Sequence, residues 1–153
     1  MQVDVTFENS SFFLDGAVPI SALSEVLDAW TKIPTVGAHS AFLGQVRADE
    51  YADGVVSAIE FTAHESMAER AMRDLVKRVT YAYTVKPVRV FLQHARGVLS
   101  VGEIPVIVAV AAGHRAEACG ICRDVLEALK NEVPIYGKEL FEGGGGHRWK
   151  VNT

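Results

Sequence analysis

Residues 103–139, EIPVIVAVAAGHRAEACGICRDVLEALKNEVPIYGKE, hold an apolar run, a glycine, and then a longer segment with helical spacing. EIPVIVAVAA (103–112) has the length and the β-branched content of a strand. Gly113 interrupts it, and the segment from about 115 to 131 reads as a helix carrying Val125, Leu126 and Leu129. His114 and Arg115 open that helix and Lys130 closes it, with Lys138 following in a Pro-containing loop. Four nitrogen donors on one helix and its flanks suggest an anionic ligand. The helix N-terminus adds unpaired N–H groups and a partial positive charge that favours phosphate. Arg115 and Lys130 are too far apart for one small ligand, about 22 Å along a helix rising 1.5 Å per residue. Either one end alone is functional or a second subunit completes the site. Head-to-tail placement in a two-fold dimer brings Arg115 of one chain near Lys130 of the other, and this shared site is the expectation.

Outward from this stretch, PVRVFLQHA (87–95) reads as a strand forming a hairpin with 103–112. VDVTFE (3–8) alternates as a half-buried strand does. Ser21 is the expected N-cap of a helix with Leu23, Val26, Leu27 and Trp30 on one stripe, ended before Pro34. GAHSAFLGQVR (37–47) and VVSAIEFT (55–62) read as strands around a polar loop turned at Asp53-Gly54. A second helix places Met67, Ala71, Leu75 and Val79 inward, and a last short strand lies around Trp149. Gly143 to Gly146 is expected to be a hinge or a mobile lid, since no Gly-Lys-Ser/Thr follows to make a phosphate loop. The order, βαββαββαβ, implies an α+β domain with a mixed, largely antiparallel sheet, and residues 1–153 read as one domain.

The 153 residues are 49% hydrophobic and 22% charged, the composition of a soluble globular domain large enough to bury a core. A net charge of −4 gives no support to nucleic-acid or anionic-membrane binding, so any basic site is local. No long apolar run or leader pattern is present, and the expected location is cytoplasmic.

Arg47 ends a strand before a polar loop, a common place for a functional side chain, though also for a solvated one. Lys130 could simply complement the helix dipole, and Lys138 could pair with Glu139. His39, His64, His94 and His147 show no metal spacing, so no metal is expected. Cys119 and Cys122 form a C-x-x-C pair about a turn inside the helix. They are expected to be small inward-facing core residues, with a thiol redox pair as the competing reading. A lysine in a crowded cationic pocket loses its proton more easily and can act as acid, base or nucleophile. The residues alone stop at an anionic, phosphate-bearing ligand and do not name a reaction.

Four elements in order resemble the catalytic (large) subunit of molybdopterin synthase. GAHSAFLGQVR is similar to that family's Gly-Ala…Phe-x-Gly-x-Val-Arg element, and IEFTAHESMAE to its Leu-Glu-Tyr-Glu-x-Tyr-x-x-Met-Ala segment. VGEIPVIVAVAAGHRAEA resembles its Gly-Glu strand leading to His-Arg, and LKNEVPIYGKE its Leu-Lys…Val-Pro-Ile-Trp-Lys-Lys-Glu block. The resemblance implies an α/β hammerhead-like fold, a homodimer, and a small ubiquitin-like sulfur carrier bound to each subunit in a heterotetramer. The carrier's C-terminal Gly-Gly thiocarboxylate would deliver sulfur to cyclic pyranopterin monophosphate, forming the dithiolene of molybdopterin in molybdenum cofactor biosynthesis. It implies no resident cofactor.

By the same resemblance Lys130 and Lys138 are the catalytic candidates, and Gln45, Arg47, His114, Arg115 and Glu139 the substrate-binding ones. The lysine that the family usually carries after Pro-Ile-Trp aligns with Gly137, and Lys138 matches its second basic position. His94-Ala95-Arg96 stands where the family has His-Arg, and Thr62 and His64 replace a Glu and a Tyr. These departures keep open an alternative from another class: a diverged, non-catalytic homologue that binds pterin phosphate or the carrier.

Overall fold

The computed structural model describes residues 5–9, 11–83 and 87–150. In chain order it contains β1 (Val5–Phe7), β2 (Phe13–Asp15), α1 (Ile20–Trp30), β3 (Ala38–Leu43), β4 (Glu50–Tyr51), β5 (Gly54–Ala63) and α2 (Glu65–Tyr81). Then come β6 (Val88–Ser100), β7 (Val106–Ala112), α3 (Arg115–Glu132), β8 (Ile135–Phe141), a 3-10 turn (Glu142–Gly144) and β9 (His147–Trp149). Val3 and Asp4, the start of the first expected strand, lie outside the described residues.

Every residue of β7 is buried. Strand alternation divides its side chains between two layers. Val106, Val108 and Val110 pack with Met72 and Leu75 of α2 and Ile121 and Val125 of α3. Ile107, Ala109 and Ala111 face the opposite way, in a cluster with Leu23 and Trp30 of α1. β6 alternates in step: Val88, Val90 and Leu92 join the α2–α3 side and Phe91 the α1 side. A strand covered on both faces needs no polar alternation, which is why 106–112 is apolar throughout.

The strand order is β3-β7-β6-β5-β8-β9, with β1 and β2 on β6 and β4 on β5. Only the β1 and β2 pairings with β6 are parallel among those described. The α+β architecture and mixed, largely antiparallel sheet are therefore as expected. β3 pairs with β7 from Ala38↔Ala112 to Leu43↔Ile107. Where this pairing begins, the two backbones nearly touch, and a Cβ on Gly37 would lie 2.1 Å from the Gly113 carbonyl oxygen. Only glycine allows that approach.

Several local expectations change. The 87–95 strand continues to Ser100, so the hairpin turn falls at 101–105. Pro19, extended at φ −73° and ψ 139°, is the N-cap of α1, and Ser21 lies inside the helix. On α2 the buried stripe is Ala68, Met72, Leu75, Val76 and Thr80, which leaves Met67 60% exposed. Residues 135–141 form a strand, not a loop. Pro134 precedes the strand, where no ladder N–H is required, and the single Gly137 does not break it. Gly143 to Gly146 lie in the connection from β8 to β9, with Gly143 and Gly144 at φ 73° and 70°. Cys122 is buried, with Sγ 3.6 Å from the Val108 carbonyl, whereas Cys119 is exposed instead of facing the core. Neither is in a disulfide. No helix among the described residues is long and apolar enough to cross a membrane.

Candidate functional site

The C-terminal end of α3 and the face of β8 converge on a cleft of about 540 Å³. Its third wall is the chain that leaves β3. There Gly44 and Val46 donate backbone hydrogen bonds to Val106 and Glu103 at 3.0 Å each, which carries Gln45 and Arg47 to the cleft. Ile59 and Phe61 of β5 and His94 of β6 also line it.

Register decides which residues of β8 look into this space. Glu139 opposes Ile59 and Gly137 opposes Phe61, whereas Lys138 opposes Glu60. Directly opposed residues share a face and successive residues alternate. Gly137 and Glu139 thus line the cleft, and Lys138 does not. Lys138 points to the other side, with Nζ 3.2 Å from Glu60 and 6.0 Å from the centre of the Trp149 ring. Within this chain Lys138 does not join Lys130 in the cleft, because one residue along a strand is a change of face.

Lys130, in the last turn of α3, lines the cleft and is largely withdrawn from solvent. Burial is the main cause that lowers its pKa, and the charge of Lys150 adds to the effect. His94 is 3% exposed, packed edge-on against Phe61 at 5.2 Å between ring centres. Its Nδ1 lies 2.7 Å from the Ala95 carbonyl, which can only accept, so Nδ1 carries the proton. Burial pushes the His94 pKa down to about 4, against that hydrogen bond and with the Lys130 charge assisting. The ring is neutral at pH 7 and its Nε2 is an acceptor.

Glu139 is a buried carboxylate at 2% exposure. The Tyr51 hydroxyl sits 3.4 Å from both of its oxygens, and the Arg148 guanidinium covers the Tyr51 ring at 3.8 Å. Burial, and then the Glu139 charge, raise the Tyr51 pKa. Arg47 is exposed at the mouth, with Nη2 3.2 Å from Asp49. Of the sequence candidates, the cleft brings together Gln45, Arg47, Lys130 and Glu139. His114 and Arg115 are exposed at the far end of α3, and no side chain caps that helix start. His94 and Lys150 line the cleft, and Tyr51 contacts Glu139 without lining it; the sequence reading names none of the three as a site candidate. A strand assignment for 135–141 with its alternation would have exposed the pairing of β8 with β9 and hence Lys150. No group of three or more His, Cys, Asp or Glu among the described residues could hold a metal.

A family model described as MoaE protein matches residues 18–132 of the chain, from before α1 to the end of α3. The chain belongs to the MoaE family. The molybdopterin synthase catalytic subunit of Aspergillus fumigatus is 33% identical over 122 residues, which are 80% of this chain and 63% of that protein. The chain thus spans less than two thirds of that relative's length. A molybdopterin synthase structure from Staphylococcus aureus superposes with a TM-score of 0.78 at 23% identity, covering 94% of this chain and 98% of that one. A complex of subunits 1 and 2 of molybdopterin-converting factor from Helicobacter pylori contains a chain matching at TM-score 0.74 and 16% identity, covering 92% and 89%. These two likenesses establish the fold. The family match ends at Glu132, so Gly137, Glu139 and Lys150 lie beyond it.

Proposed function

We propose that the protein is the catalytic subunit of a molybdopterin synthase, a sulfur transferase of molybdenum cofactor biosynthesis. In this reading it converts cyclic pyranopterin monophosphate to molybdopterin. The sulfur donor in this reading is the C-terminal thiocarboxylate of a small ubiquitin-like carrier; that the similar Helicobacter pylori chain comes from a complex of two subunits supports a second-subunit partner. The observation that carries the reading is Lys130: a lysine on a family-matched helix, largely buried in a cleft, with its pKa lowered by that burial. A lysine that loses its proton readily can take up and return one at the reacting centre.

The rest of the cleft suits an extended anionic substrate. Arg47 at the mouth can meet a phosphate. Gln45 offers amide donors and an acceptor, and Glu139 can accept from the N–H groups of a pterin ring. Ile59 and Phe61 supply an apolar floor. His114 and Arg115 are about 22 Å along α3 from Lys130, which supports a homodimer in which the partner subunit contributes them.

The test is single-turnover conversion of cyclic pyranopterin monophosphate with a carrier ending in a thiocarboxylate, beside the same carrier ending in a plain carboxylate. Molybdopterin formed only with the thiocarboxylate supports the synthase. Binding of carrier or pterin without any conversion would move the assignment to a non-catalytic binding homologue.

A further inference from the structure

The cleft contains a second lysine. Lys150, just past β9, donates its backbone N–H to the Gly137 carbonyl at 2.8 Å. The β8–β9 register runs Leu140↔His147, Glu139↔Arg148, Lys138↔Trp149, and its next step sets Lys150 opposite Gly137. Opposed residues of an antiparallel pair present side chains on one face, and for Gly137 that face is the cleft. A Cβ on Gly137 would lie 3.5 Å from the Lys150 Cβ, 3.3 Å from Ile59 Cγ2 and 3.4 Å from Phe61 Cε1. Glycine leaves the cleft face of β8 bare there, and Lys150 stands beside the gap from the next strand.

We propose that Lys150 is the second catalytic lysine of the cleft, delivered by β9 at the place Gly137 leaves open on β8, where its ammonium contacts the anionic groups of the substrate beside Lys130. The proposal rests on the synthase reading above. It assigns the two lysines different work. Lys150 supplies the ammonium that bonds an anionic oxygen or sulfur of the substrate. Lys130 handles the proton, and the nearby charge of Lys150 makes that proton easier to release. The other charged groups lining this space are Arg47, Asp49, Glu132 and Glu139, with His94 neutral. Two lysines in one cleft repel each other in the absence of ligand, and an anion seated between them removes that repulsion. A carboxylate-type tail or a phosphate meets this requirement, and a neutral substrate does not.

The experiment compares wild type, Lys150→Gln and the double variant Lys150→Gln/Gly137→Lys in the same single-turnover assay, with urea midpoints measured for each. Lys150→Gln is expected to slow conversion about a hundredfold, the scale for losing a positioned charge at a reacting centre, with little change in midpoint. The double variant returns a lysine to the same face from β8 and is expected to recover about tenfold or more of that loss. Conversion by Lys150→Gln at the wild-type rate overturns the proposal, and so does failure of a folded double variant to recover. Wild type that converts nothing instead sinks the synthase reading. In that event the pH dependence of Lys130 acylation by an amine-reactive reagent, read by peptide mass, decides the placement. Its midpoint rises in Lys150→Gln if the two charges face each other, and an unmoved midpoint overturns that too.

Discussion

Lys138 and Glu139 are adjacent in sequence and occupy opposite faces of β8: Lys138 reaches Glu60 at 3.2 Å, while Glu139 is buried under the Tyr51 hydroxyl. The Lys138–Glu60 contact is a part-exposed ion pair, a kind worth about 0–1 kcal/mol. Lys138→Ala is therefore expected to lower the urea midpoint slightly and to leave single-turnover conversion near the wild-type rate. A collapse in conversion would show that Lys138 reaches a reacting centre that this chain alone does not form.

The central strands are legible in the sequence because burial on both faces leaves a plain mark: 106–112 is apolar at every position. The helix α3 is equally legible from its spacing, and Lys130 with it. β8 is hidden by Pro134 and Gly137, residues that argue against a strand although neither is forbidden at those positions. The cost of missing β8 falls entirely on the site. Without the strand there is no alternation to separate Lys138 from Glu139, and no neighbour to bring Lys150 across. His94 is invisible for another reason. Its isolation by Phe61 and Phe13 arises from residues dozens of positions away.

A site shared between subunits predicts complementation. Arg115→Ala and Lys130→Ala, each inactive alone, can form a heterodimer in which one of two sites combines an intact Arg115 with an intact Lys130. After subunit exchange in an equal mixture, half the dimers are mixed and about a quarter of all sites are whole. Conversion near that fraction of wild type is expected. No recovery despite demonstrated exchange would mean that one chain carries the whole site.

His94 predicts a pH dependence of stability. Its pKa falls from 6.5 in the unfolded chain to about 4 in the fold, so the unfolded state binds the extra proton between those values. Its contribution is fully present above pH 6.5 and is lost as pH falls from there toward 4, by up to about 3 kcal/mol. His94→Gln removes this titration while costing packing at every pH. Urea midpoints are measured from about pH 7.5, where an ordinary histidine is neutral, down to about pH 4.5, where it is charged. The wild-type and variant values should converge as the pH falls. Parallel curves would show that the His94 ring is not held neutral.

The most direct measurement is the single-turnover yield of molybdopterin from cyclic pyranopterin monophosphate and thiocarboxylated carrier, for wild type beside Lys130→Ala. Conversion by wild type is expected, with a loss of about a hundredfold or more in the variant and its fold intact by circular dichroism. A Lys130→Ala protein that converts substrate as wild type does would contradict the assignment of Lys130 to the reacting centre.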